Sequence, residues 1–245
     1  MRNLNRNLLV GALASLALMG LGSAQAAVTM VGTRVVFPAE ANEVNVRLHN
    51  VGETPSLVQA WIDDGDASAT PSTSKAPFIV RPPIFRIDGE KSQVIRIARA
   101  GGDLPEDRES LFGFNVLDMP AQVPKRADGE GATLKLVVRT RVKMFYRPKG
   151  LTRAAAAKAP AQLQWKIVDE AGGHALRIDN PTPYHVILKK VASAGIDDEV
   201  IAPLSSRAYR LGQQQYQALR DSITFEYAVT DTGVAISAQA PLARP

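Results

Sequence analysis

Hydrophobic positions between residues 131 and 148 alternate with a period of two. In this stretch, GATLKLVVRTRVKMFYRP, every second position is apolar or nearly so: Leu134, Leu136, Val138, Thr140, Val142 and Met144. The positions between them carry the cations Lys135, Arg139, Arg141 and Lys143. Because successive side chains of a β-strand point to opposite faces, the pattern predicts a strand with one apolar face and one cationic face.

Most of the remaining chain predicts short strands between turn residues. In the first half these segments are EVNVRLHN, SLVQAWI, FIVRPPIFRI, SQVIRIA and ESLFGFNVLDMP. In the second half they are AQLQWKIVDE, HALRIDN, YHVILKKVAS, EVIAPLSSRAYRL, SITFEYAVT and VAISAQAPL. Strands at this spacing, without helices between them, predict an all-β fold of the sandwich type.

The segment KGLTRAAAAKAPA separates the two halves and differs from both in composition. Its four consecutive alanines predict either a short helical turn or a link on the surface. Each half has the length of a typical domain, roughly 100 residues. We therefore expect one domain at residues 27–148 and a second at residues 149–245.

Residues 1–26 have the pattern of a secretory signal peptide. Arg2 and Arg6 precede an apolar run at Leu8–Gly22, and Ala24-Gln25-Ala26 matches the small-x-small pattern of a cleavage site. The run is shorter than the roughly 20 residues of a spanning helix. We therefore expect export with cleavage near Ala26. No later segment is apolar and long enough to span a membrane, which predicts a mature protein without a membrane anchor.

Charge and cysteine content narrow the functional classes. The chain has 29 Lys and Arg against 24 Asp and Glu, a formal net charge of +5. A basic balance permits binding to nucleic acid or to an anionic surface, but an exported protein rarely meets nucleic acid, so we expect no nucleic-acid partner. The chain has no cysteine, which excludes disulfides and thiolate chemistry.

Motifs of catalysis or of metal binding are missing from the sequence. The histidines are scattered without ligand spacing, at His49, His174 and His185. The sequence DDGDAS, with Asp63, Asp64 and Asp66, lacks the order and the closing Glu of a calcium loop and predicts an acidic turn. No G-x-S-x-G and no phosphate-binding glycine loop occurs. We expect neither an enzyme nor a cofactor or metal site.

The alternating strand at 131–148 has two interpretations. Its apolar face could pack into the protein's own core, with the basic face in solvent. Alternatively, the apolar row docks another chain, which adds a strand to an exposed edge while a nearby cation binds a terminal carboxylate. A rival class is a secreted two-domain sandwich that binds a carbohydrate or another surface ligand. A sugar site would need surface aromatics, whereas Trp61 and Trp165 both lie inside predicted strands.

The sequences RVKMFYRPKGL and LPEDRESLFGFNVLDMP carry a specific resemblance. Together with GTRVVFP, LVQAWID, FIVRPPIFRI, NPTPYHV and IAPLSSRAYRL, in the same order, they make the chain similar to the periplasmic chaperones of the chaperone–usher pilus pathway. The resemblance covers nearly all of the predicted mature chain. It implies two immunoglobulin-like β-sandwich domains in a boomerang arrangement.

The resemblance also implies a function. Such chaperones bind and fold pilus subunits in the periplasm by donor-strand complementation and deliver them to an outer-membrane usher, without a cofactor. The subunit's C-terminal region would be the part that is bound. The side chains that would fill the subunit groove are Leu134, Leu136, Val138, Thr140 and Val142.

Further residues acquire expected roles from the resemblance. Arg34 and Lys143 match the family's two cations that bind the subunit's terminal carboxylate. An ionic network between the domains is expected at Glu109, Arg147 and Asp231, although the chain has DTGV where the family often has DYGG.

Two further expectations concern the strand at 131–148, which would be donated to the subunit. We interpret Arg139 and Arg141 as solvated edge charges that deter self-pairing. The sequence AQVPKRADGEGAT before the strand is longer than in the family's short-loop subgroup, but the long-loop subgroup usually carries a disulfide beside the loop. Because the chain has no cysteine, we favour the short-loop, rod-pilus type.

Overall fold

The computed structural model describes residues 27–121, 136–170 and 172–244. The described residues are mostly in β-strands, with only short helices, which confirms the all-β prediction. Residues 1–26, with the predicted cleavage site, lie outside the described residues, and so does Leu134.

The N-terminal domain pairs two sheets face to face. One sheet has the strand order β1-β3-β7-β5, formed by β1 (Val28–Met30), β3 (Glu43–Asn50), β7 (Ser92–Arg99) and β5 (Phe78–Arg81). The other has the order β2-β9-β8-β4-β6, formed by β2 (Arg34–Pro38), β9 (Val138–Arg147), β8 (Ser110–Pro120), β4 (Ser56–Asp63) and β6 (Ile84–Ile87).

The core of the N-terminal domain lies between these sheets. Alternate residues of each strand point inward, so the period-two pattern of the sequence becomes a buried layer. Phe78 links the layer through edge-on contacts with Phe37 and Phe112, whose ring centroids lie 5.3 and 5.0 Å from its own. Met144 of β9 is fully buried in the same cluster.

The C-terminal domain begins with a short helix that packs into its core. Helix α1 (Arg153–Lys158) occupies the alanine-rich segment, and Thr152 caps it by accepting a hydrogen bond from the Ala155 amide at 3.2 Å. A 3-10 turn at Ala159–Gln162 leads into the first strand. The structure therefore has the helical turn that was one of the two sequence-based alternatives.

In the C-terminal domain, the described strands are hydrogen-bonded to their neighbours in the order β13-β12-β15-β16-β10-β11-β14. They are β10 (Gln164–Glu170), β11 (Gly173–Asn180), β12 (Val186–Val191), β13 (Ile196–Ile201), β14 (Ser205–Leu211), β15 (Ser222–Ala228) and β16 (Ala235–Ala243). A 3-10 turn at Ala192–Ala194 and helix α2 (Gln213–Ala218) connect some of them. The core contains Trp165 against Phe225, with ring centroids 4.8 Å apart.

The two domains meet through a small apolar cluster. Phe145 of β9 packs with Ile187 and Ala228 of the C-terminal domain, and all three are buried. Beside the cluster, the Glu109 amide donates a hydrogen bond to the Pro183 carbonyl at 2.9 Å. These contacts place the outer face of β9 against the C-terminal domain.

Across 27–121, 136–170 and 172–244, none of the helices has the length and apolar character that crossing a membrane requires.

Candidate functional site

Strand β9 is paired differently along its two halves. It pairs antiparallel with β8 from Val138 to Tyr146, but parallel with β2 only from Lys143 to Arg147. We call Lys143–Arg147 the closed half and Val138–Val142 the open half. In the described part of the chain, no strand pairs with the open half on the side away from β8. Its outward-pointing backbone groups are therefore free to pair with an added strand.

The inner face of β9 runs from the core toward solvent. Met144 is fully buried, Val142 is partly buried against the N-terminal core, and Val138 and Thr140 are half-exposed. Leu136, just before the strand, is 48% exposed. The apolar row thus continues past the point where its own domain covers it. This geometry combines both sequence interpretations, with a core segment and an uncovered segment in one row.

On the outer face, Arg141 forms a two-pronged ion pair with Asp63. Its Nε and Nη2 donate to the two carboxylate oxygens of Asp63 at 2.8 and 2.7 Å. Asp63 is fully buried at the end of β4, and within the predicted acidic turn it also accepts a hydrogen bond from the Gly65 amide at 2.9 Å. Gly113 lies between the two, and a Cβ at that position would collide with both side chains. The pair can form because β8 has a glycine at the position where the side chains of Arg141 and Asp63 cross it.

Arg139 occupies the next outward position and is also engaged. Its guanidinium donates to Asn115 Oδ1 at 2.7 and 3.0 Å and lies over the Trp61 ring, 4.8 Å from the ring centroid. Asn115 in turn donates to Asp63 at 2.8 Å. Arg139 and Arg141 are exposed, as the interpretation as solvated edge charges expects, but side chains of β4 and β8 also hold both of them.

The protonation of Asp63 reflects this setting. Burial opposes ionisation of the carboxyl group, but hydrogen bonds from Arg141, Asn115 and the Gly65 amide outweigh it and lower its pKa to about 2. Asp63 and Arg141 thus stay charged at neutral pH and brace the outer face of the open half.

Arg34 and Lys143 lie side by side where the open half ends. They are register partners on the parallel strands β2 and β9, so their side chains extend from the same face of the sheet. Arg34 donates to the Val229 carbonyl at 3.3 Å, and Lys143 Nζ lies 3.6 Å from Asp198 Oδ2. Burial lowers the pKa of Arg34, and the nearby carboxylates of Asp198 and Asp231 partly offset that effect. Two cations thus face the cleft between the domains.

Glu109, Arg147 and Asp231 come together at the interface of the domains. Arg147 Nε donates to Glu109 at 2.8 Å, while Nη2 and Nη1 donate to Asp231 at 2.8 and 3.3 Å. Glu109 also accepts a hydrogen bond from the His185 amide at 2.9 Å. Burial opposes the charge of Arg147, but its hydrogen bonds with Asp231 and Glu109 raise its pKa above the ordinary value.

The DTGV sequence forms the turn that presents Asp231. Gly233 has a φ of 77°, and a Cβ there would lie 2.7 Å from Thr33 Oγ1 and 3.1 Å from Arg34 Nη2. A residue with a side chain would therefore be strained and would push against β2. The departure from DYGG keeps a glycine at this position of closest approach.

The predicted groove-filling residues within the described chain share one face, and the predicted cations share the other. Among residues 27–121, 136–170 and 172–244, no three His, Cys, Asp or Glu side chains form a group that could hold a metal ion. Trp61 and Trp165 are both buried and offer no aromatic surface for a sugar.

Comparison with known proteins gives two family matches. Residues 27–152 match the family described as "Pili and flagellar-assembly chaperone, PapD N-terminal domain". Residues 158–240 match "Pili assembly chaperone PapD, C-terminal domain".

Individual relatives span nearly the whole chain. The probable fimbrial chaperone YadV of Escherichia coli K12 is 38% identical over 90% of this chain and 92% of its own. The crystal structure of the Pseudomonas aeruginosa CupB2 chaperone is similar with a TM-score of 0.70 and 32% identity, over 88% of this chain and all of that one. SafB, solved in complex with the SafA pilin of Salmonella enterica, is similar with a TM-score of 0.71 and 25% identity, over 90% and 99%.

Proposed function

Because the chain belongs to the PapD family of pilus assembly chaperones, we propose that it binds and folds pilus subunits in the periplasm by donor-strand complementation and delivers them to an outer-membrane usher. The SafB chaperone, a structural neighbour, binds a pilin. The role is non-enzymatic. The alternative of a carbohydrate-binding sandwich is not favoured, because the relatives are fimbrial chaperones and both tryptophans are buried.

The one-sided pairing of β9 is the observation that carries the proposal. The open half offers free backbone groups, and each added hydrogen bond contributes about 1 kcal/mol net. The apolar row Leu134, Leu136, Val138, Thr140 and Val142 would enter the subunit's groove. Each medium-sized apolar side chain buried there contributes roughly 1.5–3 kcal/mol. Backbone pairing and side-chain burial would thus act along one strand.

Arg34 and Lys143 would bind the subunit's terminal carboxylate at the end of this strand. Of the three cations on the outer face of β9 at 139, 141 and 143, Lys143 has the longest ion-pair contact, at 3.6 Å and half-exposed. Arg139 and Arg141 are instead held by shorter bonds, to Asn115 and to Asp63. The anchor fixes the register of the added strand, because the carboxylate marks its last residue.

The remaining expectations complete the proposal. Export with cleavage near Ala26 would deliver the protein to the periplasm, and the two domains would span residues 27–148 and 149–245. The network of Glu109, Arg147 and Asp231 would hold the domains at the angle that the cleft requires. N-terminal sequencing of the periplasmic protein tests the cleavage position.

Substitutions on opposite faces of β9 test the function. Val138→Glu places a charge on the row that enters the groove, whereas Val137→Glu adds the same charge at the preceding, 51% exposed position on the other face. With a pilus subunit co-expressed in the periplasm, we expect Val138→Glu to lose the complex and Val137→Glu to keep it. Equal recovery of the subunit with both variants would contradict the proposal.

A further inference from the structure

The proposed carboxylate anchor already faces a carboxylate of the protein itself. Asp198, on β13 of the C-terminal domain, lies with Oδ2 3.6 Å from Lys143 Nζ. Its other oxygen contacts Lys189 Nζ at 2.5 Å. Asp198 therefore bridges a cation of each domain, at the place where a ligand's carboxylate would bind.

The backbone around this bridge is irregular on both strands. Asp198 has a φ of 50°, a left-handed conformation that side chains other than Asn, Asp and Gly rarely adopt. The pairing of β12 with β15 shifts in register between Leu188 and Lys190, that is, at Lys189. The two irregular positions are the two residues of the β12–β13 hairpin that form the bridge. Such local strain persists where the surrounding structure requires it.

The exposure of the bridge argues against a role in stability. The side chains of Lys143, Lys189 and Asp198 are 33%, 42% and 57% exposed. Ion pairs with this degree of exposure contribute little to folding and open readily. The interdomain pair of Arg147 and Glu109 is different, because both of its side chains are nearly fully buried. The Asp198 bridge is thus a contact that can be exchanged.

Building on the proposed function, we propose that Asp198 is a resident counter-ion that occupies Lys143 in the free chaperone and that an incoming subunit carboxylate must displace. A ligand carboxylate that approaches Lys143 meets the negative charge of Asp198 a few ångströms away, so the two compete. Lys189 keeps Asp198 paired once it leaves Lys143. The counter-ion lowers the affinity of the chaperone for terminal carboxylates in general. Only a subunit that also pairs with the open half of β9 therefore binds tightly.

Peptides test the counter-ion directly. The probe is a synthetic peptide that copies the C-terminal strand of a pilus subunit, made with either a free carboxylate or an amide at its end. Isothermal titration with wild type measures the ratio of the two affinities. We expect Asp198→Asn to raise affinity for the carboxylate peptide by about 3- to 10-fold at low salt and to leave the amide peptide unchanged. Asparagine tolerates the left-handed backbone, so the hairpin is preserved.

Asp197→Asn is the matched control. It removes the same charge at the neighbouring position, and Asp197 makes no ion pair within the described part of the chain. We expect it to change neither affinity by more than about 2-fold, because a solvent-exposed charge is screened. If Asp197→Asn has the same effect as Asp198→Asn, the effect is general charge and the counter-ion role is overturned.

Lys189 supplies a second test with the opposite sign. Lys189→Met removes the partner that draws Asp198 away from Lys143, so we expect weaker binding of the carboxylate peptide. The effect should shrink when Asp198→Asn is already present, because the two residues act through one bridge. Additive effects of the two substitutions would contradict the bridge.

The outcomes separate the two proposals. A carboxylate preference that is the same in wild type and Asp198→Asn overturns the counter-ion and leaves the proposed function intact. A lack of carboxylate preference in both proteins overturns the anchor at Arg34 and Lys143 and the counter-ion with it.

Discussion

The two halves of β9 differ both in sequence pattern and in what covers them. The open half alternates apolar or nearly apolar residues with cations, whereas the closed half has three consecutive apolar or aromatic residues, Met144, Phe145 and Tyr146. In the closed half, Met144, Phe145, Tyr146 and Arg147 are all buried between β2, β8 and the C-terminal domain. In the open half, the inner-face side chains are half-exposed, and one edge is unpaired in the described chain. The period-two pattern thus predicts the strand and its two faces. It does not predict which part of the strand is covered, because that depends on where β2 ends. Apart from Val142, which packs against the N-terminal core, the open half has an apolar face that its own domain leaves uncovered.

The outer face shows the same contrast in its ion pairs. In the closed half, Arg147 is buried between two carboxylates and links the domains. Behind the open half, Arg139 and Arg141 are tied to β4 and β8 within one sheet. The open half is therefore rigid on its outer face and unfilled on its inner face. A donor strand benefits from such rigidity, because a preorganised strand loses less conformational entropy on binding.

The largest expected difference between the halves is the cost of a charge on the inner face. Met144→Glu buries an unpaired carboxylate and should destabilise the protein by more than about 4 kcal/mol or prevent folding. Val138→Glu should cost less than about 1 kcal/mol, because its side chain reaches solvent. Thermal and urea unfolding of both variants measure the contrast. If Val138→Glu melts as far below wild type as Met144→Glu, the open half belongs to the core.

Removal of Arg147 should be the next largest effect. Arg147→Ala leaves the buried Glu109 without its cation, which we expect to cost about 3–5 kcal/mol. Arg153 also contacts Asp231, at 3.3 Å, but its side chain is 71% exposed. Arg153→Ala is thus a matched control with an expected cost below about 1 kcal/mol. Similar urea midpoints for the two variants would show that the network is not what holds this interface.

The ion pair of Arg141 with Asp63, on the outer face of the open half, predicts a pH dependence of stability. The pKa of Asp63 is about 2 in the folded protein, below the roughly 3.9 of an unfolded chain. Its contribution to stability, about 2 kcal/mol, is therefore complete only above about pH 5 and is lost progressively as the pH falls through the folded-state pKa to about 1. Asp63→Asn should flatten that part of the acid unfolding curve. Asp179 of the C-terminal domain, whose pKa is also about 2, should keep its own share. If the acid part of the unfolding curve is the same in Asp63→Asn as in wild type, the ion pair of Asp63 with Arg141 does not stabilise the fold.

The anchor at the junction of the two halves should matter least for stability and most for binding. Arg34→Ala and Lys143→Ala should each change the free energy of unfolding by less than about 1 kcal/mol, because their contacts are long and partly exposed. Each should still abolish a stable complex with a co-expressed subunit, since charge-assisted bonds to the carboxylate are lost.

The control for the anchor has to be a cation without structural bonds across strands. Arg139 and Arg141 do not qualify, because their removal would disturb β9 itself. Arg86 does qualify: its side chain is 67% exposed, and its one ion pair within the described residues is with Asp88, two positions away. If Arg86→Ala loses the subunit as fully as Arg34→Ala does, general positive charge rather than the anchor is responsible.

The fold could be predicted from sequence because strand formation depends on local patterning. EVNVRLHN coincides with β3, and SITFEYAVT contains β15. The helix at Gln213–Ala218 was missed, since six residues without an apolar stripe give no periodic signal. The pattern of EVIAPLSSRAYRL predicts one strand, which is wrong, because Leu204, with a φ of 50°, lies in the turn between β13 and β14.

The site could be predicted only in part, because its partners lie far apart in sequence. Arg141 and Asp63 are 78 residues apart, so the local sequence indicates an edge charge and an acidic turn but not their ion pair. The glycine that allows their contact, Gly113, carries no signal of its own. Asp198 lies in a stretch of acidic residues that is unremarkable until the fold places it opposite Lys143. Long-range pairing of this kind is a property of the register and not of the local sequence.

The most direct test of the account is amide hydrogen exchange along β9, with and without a bound subunit. We expect the closed half, Lys143–Arg147, to be protected in both states. In the free protein, the open-half amides that point away from β8 should exchange rapidly, and binding should protect them by at least about 100-fold as backbone pairing forms. Protection of those amides already in the free protein, or a stable complex that leaves them unprotected, would contradict the claim that the open half of β9 is the strand lent to the subunit.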